Sequence, residues 1–392
     1  MNEMAQYDVA VVGAGPAGLA AALGLARKGV RTALVTGPER GVDHRTTALL
    51  EGSIQILADF GVWDDLAPHA APLRDLRIVD GTRRLMRAPE VLFRSSEIGL
   101  EAFGYNLENE VLRGQLRSLC ETAPNLDIIS ASLTELDVGL DAVELELDSG
   151  GHLSARLIIA ADGRNSRVRE AVGIAMRHRD YPQVALTMTV RHTRPHDDIS
   201  TEFHMEHGPF TLVPLPGNRS SIVCVVSERE AVDLLGLDAR AFAREMERRA
   251  FSLLGAFEVE SGRGAYPLAA ETAEKVIAPR VALMGEAAHV MPPIGAQGLN
   301  LGLRDAATLV ALASDSIAKG SDPGSEKVLE SYARDRRNDV SGRMAAVDLL
   351  NRSLLSDLVP IQGVRGLGLY MLDRLGPLRR GLMRLGIGAR AA

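Results

Sequence analysis

The sequence predicts a mixed α/β protein: a discontinuous, doubly wound sheet-and-helix unit interrupted by a mainly antiparallel α+β layer and followed by a C-terminal helical segment. Three observations carry this. The β-branched run Tyr7–Val12 leads through Gly13-Ala14-Gly15-Pro16-Ala17-Gly18 into an Ala- and Leu-rich helical stretch. Strand, glycine turn and helix start recur at Leu157–Arg169 and again at Val281–Ala306. Between the last two, residues 185–226 read as four strands separated by turns.

The first of these patterns is a dinucleotide-binding signature with both flanks in place. Gly13 permits the tight turn, Gly15 lets the backbone approach a pyrophosphate, and Gly18 allows close helix-to-strand packing. The helix start then offers free N–H groups and a positive dipole end to the phosphates. A second strand, 31–35, completes the unit, which is Rossmann-like. The acid that usually meets the ribose is replaced by Thr36, a single hydroxyl, with Glu39 three places late. Residues 43–60 read as a loop entering an amphipathic helix, with Arg45 at its start either contacting the cofactor or sitting as a solvated charge.

Helical periodicity disappears over 73–105 and returns over 107–122, with Asn109 and Arg113 on neighbouring turns. A strand at 126–129 and a meander with Gly150-Gly151 as hairpin turn lead back to the core at Leu157–Ala161. Asp162-Gly163 and the polar groups up to Arg169 then stand at a strand's carboxyl end, where ligands of doubly wound sheets sit. Residues 237–254 read as one amphipathic helix. The division expected is 1–72, 106–175 and 272–350 for the nucleotide unit, 73–105 and 176–271 for the interrupting layer, and 351–392 for the C-terminal segment.

Composition excludes several classes. At 392 residues, 46% hydrophobic and 24% charged, the chain is long enough for two domains of an ordinary globular protein. A net charge of −7 without a basic cluster in the body of the chain argues against nucleic acid as a partner. Cys120 and Cys224 form no paired motif, which fits a reducing compartment. His178, His192, His196, His204 and His207 gather near the second layer, but they fall on strands and turns without metal-ligand spacing, so no metal is expected. Only six residues precede the first strand, too few for a signal peptide, and apolar runs stay short of a membrane span; a cytoplasmic location follows. The last thirty-odd residues carry six Arg against one acid, Asp373, with leucines at near-helical spacing. This suits either an interfacial helix, peripheral to the inner membrane, or a helix closing the nucleotide unit.

The stretch Gly285–Ala306, GEAAHVMPPIGAQGLNLGLRDA, places small residues and a helix start where backbone would meet a flat anionic ligand. His289 within it reads as a hydrogen-bonded structural histidine rather than a general base. Taken in order, GxGxxG, then Asp162, Gly163, Ser166 and Arg169 as DGxxSxxR, then this GD-like loop resemble the single-component aromatic flavoprotein monooxygenases of the para-hydroxybenzoate-hydroxylase superfamily. PHDD, TEFHMEHGPFTLVPLPG and the C-terminal GLGLYMLDRLGPLRRGLMRLGIG are most similar to the ubiquinone-biosynthesis hydroxylases, and the resemblance covers nearly the whole chain.

The resemblance implies FAD held at its pyrophosphate by Gly13, Gly15 and Gly18 with Arg113 nearby. Asp162 and Gly163 would serve the pyrophosphate region and a transient nicotinamide cofactor. Glu286 would meet the ribityl chain, while Pro293 and the backbone of Gly295, Gln297, Gly298, Leu299 and Asn300 would line the isoalloxazine, beside a helix starting near Leu299. Gly208, Pro209, Phe210 and Leu212 would line the substrate side. Three departures from the family pattern stand out: Glu286 for the usual Asp, the inverted order Gly295-Ala296, which costs energy if the second position needs positive φ, and Cys224 where Trp is common. The implied chemistry takes electrons from NAD(P)H or another donor, adds O2 at flavin C4a, and hydroxylates a small aromatic molecule, a polyprenylated phenol, at the membrane surface or within a biosynthetic complex. No side chain is needed as acid or base. Rival readings are a hydroxylase of the same fold acting on a soluble aromatic or polyketide, and a prenyl-lipid-binding protein without chemistry.

Overall fold

In a computed structural model of the chain, residues 5–38, 41–82, 89–292, 295–355 and 376–387 are described. The first sheet runs in the order Ile277–Ala278, Val281–Leu283, His152–Ala160, Ala5–Val12, Thr32–Val35, Leu126–Ile129. From Val281–Leu283 onward these strands are parallel. Their residues are apolar on both faces, as strands covered on both sides must be. Val9, Val11, Leu34, Leu157 and Ile159 face the helices Pro16–Arg27, Asn109–Thr122 and Gln297–Ala318. Ala10, Val12, Ala33, Val35 and Ile158 face the hairpin of Leu133–Val138 and Val143–Leu147. That hairpin joins the sheet through Gly150-Gly151: on one edge of His152–Ala160 the first half pairs antiparallel with Val143–Leu147 and the last residues pair parallel with Val281–Leu283, while the other edge pairs parallel with Ala5–Val12 along its length. The return to the core expected at Leu157–Ala161 thus begins earlier, in one continuous strand His152–Ala160.

The second sheet has the order His289–Val290, Phe257–Ala273, Met176–His192, Arg219–Val226, Pro209–Leu215, Ile199–His204, Asp75–Asp80, Val91–Arg94. The excursion at 73–105 thus contributes two strands to it, one of them parallel to Ile199–His204. One face packs against two helices, Glu228–Leu235 and Ala239–Arg249. A single helix over 237–254 was expected. It starts instead at Ala239 and is preceded by another, because Ser227 and Asp238 each turn a side chain back onto the backbone N–H groups of a new helix start.

A third, three-stranded sheet, Thr46–Leu50 with Gly104–Glu108 and Ala71–Pro72, lies between the two. The reading of 43–60 as loop and helix is corrected here. Thr46 and Thr47 are β-branched and find a partner strand far along the chain, so the helix begins only at Glu51. Among the described residues no helix is long and apolar enough to cross a membrane.

Candidate active site

Four loops leave the carboxyl ends of neighbouring parallel strands, after Val12, Val35, Ala160 and Leu283, and converge on one side of the first sheet. Gly13 has φ +113°, and a Cβ there would stand 2.3 Å from the Ala161 carbonyl oxygen. A Cβ on Gly18 would stand 2.0 Å from the oxygen of Gly13. Gly15, by contrast, has no heavy atom within 4 Å of its would-be Cβ. Two glycines therefore let the chain fold onto itself, and the third leaves open space in front of the helix start at Pro16.

Asp162 accepts from the Val168 N–H at 3.2 Å, and Ser166 caps the short helix Arg167–Ala171 by accepting from the Arg169 N–H at 3.0 Å. The Arg169 guanidinium then donates to the carbonyls of Ala287 and Arg164, both at 3.0 Å. This explains the spacing of DGxxSxxR physically: Ser166 shapes the turn and Arg169 ties it to the Gly285 loop.

That loop crosses from one sheet to the other. After Val281–Leu283 it makes the turn Gly285–Ala287, then His289–Val290 pairs with Phe257–Ala273 of the second sheet. Behind it, Asp305 accepts from the Gly285 N–H at 2.9 Å, from His289 Nε2 at 2.7 Å and from Arg336 Nε at 2.6 Å. Asp305 is 1% exposed. Burial works to raise its pKa, but His289, Arg336 and the Gly285 N–H outweigh that and lower it. Beside it Tyr332 donates to the Leu283 carbonyl at 2.7 Å, and burial pushes its phenol well above the ordinary range. His289 is buried behind the loop, so its role is structural.

Helix Gln297–Ala318 starts at the loop's end, two residues before the expected start. Its N-cap, Ala296, sits in the left-handed region at φ +54° without a side-chain cap, so the first N–H groups of the helix are left to another partner. Asn300 anchors this start: its Oδ1 accepts from the Leu50 N–H at 2.9 Å, and its Nδ2 donates to Ala48 and Ala296 carbonyls. Asn300 is thus spent on backbone and does not reach the cavity. Pro293 and Glu39 lie outside the described residues.

A cavity of about 1220 Å³ opens between these loops and the second sheet. That exceeds the roughly 300–1,000 Å³ of a typical small-molecule pocket, leaving room for two ligands. Gly13, Gly15, Gly18, Thr36, Arg45, Arg113, Asp162, Gly163, Glu286, Gly295, Gln297, Gly298 and Leu299 all lie in its wall. Arg113 is held by Glu110 at 2.7 Å, and Glu110 also accepts from the Asp43 N–H at 2.8 Å. Arg45 pairs with Asp43 at 2.7 Å and stacks on the Tyr266 ring at 5.2 Å. Burial alone would raise the Asp43 pKa, but hydrogen bonds from Arg45 and Asn109 bring it down to about 2. Thr36 donates to the Gly37 carbonyl at 3.2 Å.

The substrate side differs from the sequence reading. Gly208, Pro209, Phe210 and Leu212 are not in the cavity wall; Thr211 and Val213 are. Phe210 and Leu212 turn to the sheet's other face and pack with Phe242 and Met246 of the covering helices. A strand's alternation defines two sets of side chains but not which set meets the helices. Cys224 belongs to the helix-facing set, so its departure from the family pattern does not alter the cavity. Burial pushes both thiols, Cys120 and Cys224, up to about 12, which removes them as nucleophiles near neutral pH. At its far end the cavity is apolar, bounded by Leu76, Phe93, Phe103 and Met383. Met383 comes from the C-terminal helix Gly376–Ile387, which is latched by Arg379 to Glu97 at 2.7 Å and over the Phe93 ring at 4.7 Å.

The residues present fit FAD: a glycine cradle that admits no Cβ at two positions and is open at the third, two helix starts facing one space, and Arg45 and Arg113 in the wall. Residues 6–346 match the family described as the FAD binding domain. A ubiquinone hydroxylase, UbiL, of Rhodospirillum rubrum is 36% identical over 388 residues, covering 97% of this chain and 89% of that protein. The 3-demethoxyubiquinol 3-hydroxylase of Escherichia coli is 30% identical, with 97% of this chain and 98% of that protein covered. The crystal structure of p-nitrophenol 4-monooxygenase PnpA from Pseudomonas putida shares the fold, with a TM-score of 0.81 at 21% identity over 99% of this chain and all of that one. Loop geometry, family match and relatives agree: the chain belongs to the FAD binding domain family and is an FAD-dependent aromatic monooxygenase grouped with the ubiquinone hydroxylases.

Proposed function

We propose that the protein hydroxylates the ring of a polyprenylated phenol in ubiquinone biosynthesis, taking electrons from NAD(P)H and oxygen from O2. The single observation that supports this most is the shape of the cavity: polar loops at one end, an apolar pocket bounded by Phe93, Phe103 and Met383 at the other. FAD, when bound, supplies the electron transfer and oxygen activation. Residues 1–72, 106–175 and 272–350 form the cofactor half in this reading, and 73–105 with 176–271 the substrate half.

The chain's own contribution is to bind, orient and exclude water. Gly13, Gly15 and Gly18 with Arg113 take the pyrophosphate; Asp162 and Gly163 flank it and Glu286 takes the ribityl chain. The start of helix Gln297–Ala318 has N–H groups without a side-chain cap and a positive dipole end that would favour negative charge on a bound flavin, and Gly295, Gln297, Gly298 and Leu299 would line its ring. The apolar half of the cavity seats the substrate and keeps water out. In this reading the C-terminal segment, 351–392, serves contact with the membrane surface or a biosynthetic complex; residues 356–375 and 388–392 of it lie outside the described residues.

Mass spectrometry of quinone intermediates in cells lacking the protein tests the reading. A polyprenylated phenol one oxygen short of the next intermediate should accumulate, and an unchanged quinone pool would overturn it. Stimulation of NAD(P)H oxidation by an added prenylated phenol tests the electron donor separately.

A further inference from the structure

The wall opposite the cofactor loops carries a carboxylate that the mechanism above does not use. Glu202 lies in the strand Ile199–His204, and its paired neighbours on the two adjoining strands are Thr211 and Ile78. Paired residues share a face, so Thr187, Val223, Thr211 and Glu202 present one row of side chains to the cavity. About 7 Å along the strands, the next row brings in the apolar end of the cavity, where Leu76 pairs with both Ser200 and Phe93.

His204, two residues on and therefore on the same face, donates from Nε2 to Glu202 Oε1 at 2.9 Å. The side chain of His204 is 7% exposed and that of Glu202 18%. The other oxygen, Oε2, is open to the cavity and has no hydrogen-bond partner among the described residues. Charge around it is one-sided. Among the described residues the basic groups of the wall, Arg45, Arg113, Arg117 and Arg167, all come from loops and helices around the first sheet, whereas the second sheet contributes Asp75 and Glu202 and no Arg or Lys.

A carboxylate accepts hydrogen bonds and cannot give one. The hydroxyls of Thr187, Ser200 and Thr211 turn to a donor or an acceptor alike, so they do not discriminate between ligands; Glu202 does. We propose that Glu202 determines specificity in the substrate half: it accepts from the ring hydroxyl and turns away rings that offer a carboxylate in its place. A ligand carboxylate there would set acceptor against acceptor and like charge against like, with no cation on that sheet to compensate. His204, its Nε2 proton spent on Oε1, is the positioning residue that fixes the carboxylate. The proposal rests on the aromatic-hydroxylase reading and deepens it by requiring a ring whose polar group donates.

The FAD-loaded protein is titrated at neutral pH with ortho-prenylphenol, ortho-prenylbenzoate and ortho-prenylbenzamide, following the perturbation of flavin absorbance. The amide matches the acid in shape but carries no charge and can donate. The wild type should bind the amide at least ~10-fold more tightly than the acid. In Glu202→Gln, whose amide oxygen still accepts from His204 and whose N–H groups can meet a carboxylate, that ratio should collapse; flavin content and Tm report folding. A ratio unchanged in Glu202→Gln means that the cavity rejects any charge irrespective of Glu202, and it overturns the proposal. If Glu202→Gln does not hold flavin, Thr211→Lys, which sets a cation opposite Glu202, decides by the same ratio. Acid and amide bound equally by a wild type that also binds the phenol overturn the specificity assignment alone, whereas no response to any of the three overturns the phenol-hydroxylase reading along with it.

Discussion

The two walls of the cavity are built on opposite principles. The cofactor wall is backbone: loops at the carboxyl ends of parallel strands, held close by Gly13 and Gly18, with the charged groups behind them spent on one another around Asp305. The opposite wall is side chains: alternate residues of an antiparallel sheet, with Thr187, Ser200, Thr211 and Ser221 interspersed among Val213 and Val223. The first arrangement is held from behind by one carboxylate, Asp305, that ties the Gly285 N–H, His289 and Arg336 together.

Removing the buried hub is the strongest way to break the comparison. Asp305→Ala leaves Arg336 and His289 without their shared carboxylate and frees the Gly285 N–H; a loss of about 3–5 kcal/mol in denaturant unfolding is expected, with weaker FAD binding by fluorescence titration. On the other wall, Phe210→Ala should cost a comparable ~3–5 kcal/mol, because it empties the core under the helices. Its neighbour Thr211→Val, on the cavity face, should change stability by about 0.5 kcal/mol or less while altering substrate affinity. If the two positions behaved alike, the sidedness of the strand Pro209–Leu215 would be wrong.

Acid provides a third, smaller test of the cofactor wall. The folded-state pKa of Asp43 lies below its unfolded value, so its contribution is fully present above about pH 4. It should be lost as pH falls toward its folded value of about 2. Comparing wild type with Asp43→Asn in unfolding experiments across that window should show a gap of about 1–2 kcal/mol closing as pH falls. The smallest effect is a gain. Ala296 carries a left-handed backbone that costs about 1–2 kcal/mol outside glycine, and glycine gives back part of this through its freer unfolded chain. Ala296→Gly should therefore stabilise by about 0.5–1 kcal/mol, read as a higher Tm.

The walls also differed in how far they were legible before any coordinates. Gly13, Gly15 and Gly18, and the turn of Asp162 to Arg169, are constraints on the backbone itself, so residue type and spacing reveal them. Positive φ at Ala296 was foreseeable as a condition for the same reason. The substrate wall was read from the wrong face, with Phe210 and Leu212 in place of Thr211 and Val213, because alternation is blind to which side the helices take. Asp305 passed unnoticed because one acid in a helical stretch reads as a surface charge; only the fold brings Gly285, His289 and Arg336 to it.

The topology also sets an order of assembly. Asp75–Asp80 pairs locally with Val91–Arg94 but joins the rest of the second sheet only through Ile199–His204, and the last residues of His152–Ala160 are covered on one edge only when Val281–Leu283 has been made. During synthesis the apolar strands around Val9 and Ile158 therefore stay exposed until most of the chain has left the ribosome. Contacts so distant in sequence form slowly, and such intermediates aggregate. Yield in a cell should accordingly depend on chaperone supply and growth temperature more than on the stability of the finished protein.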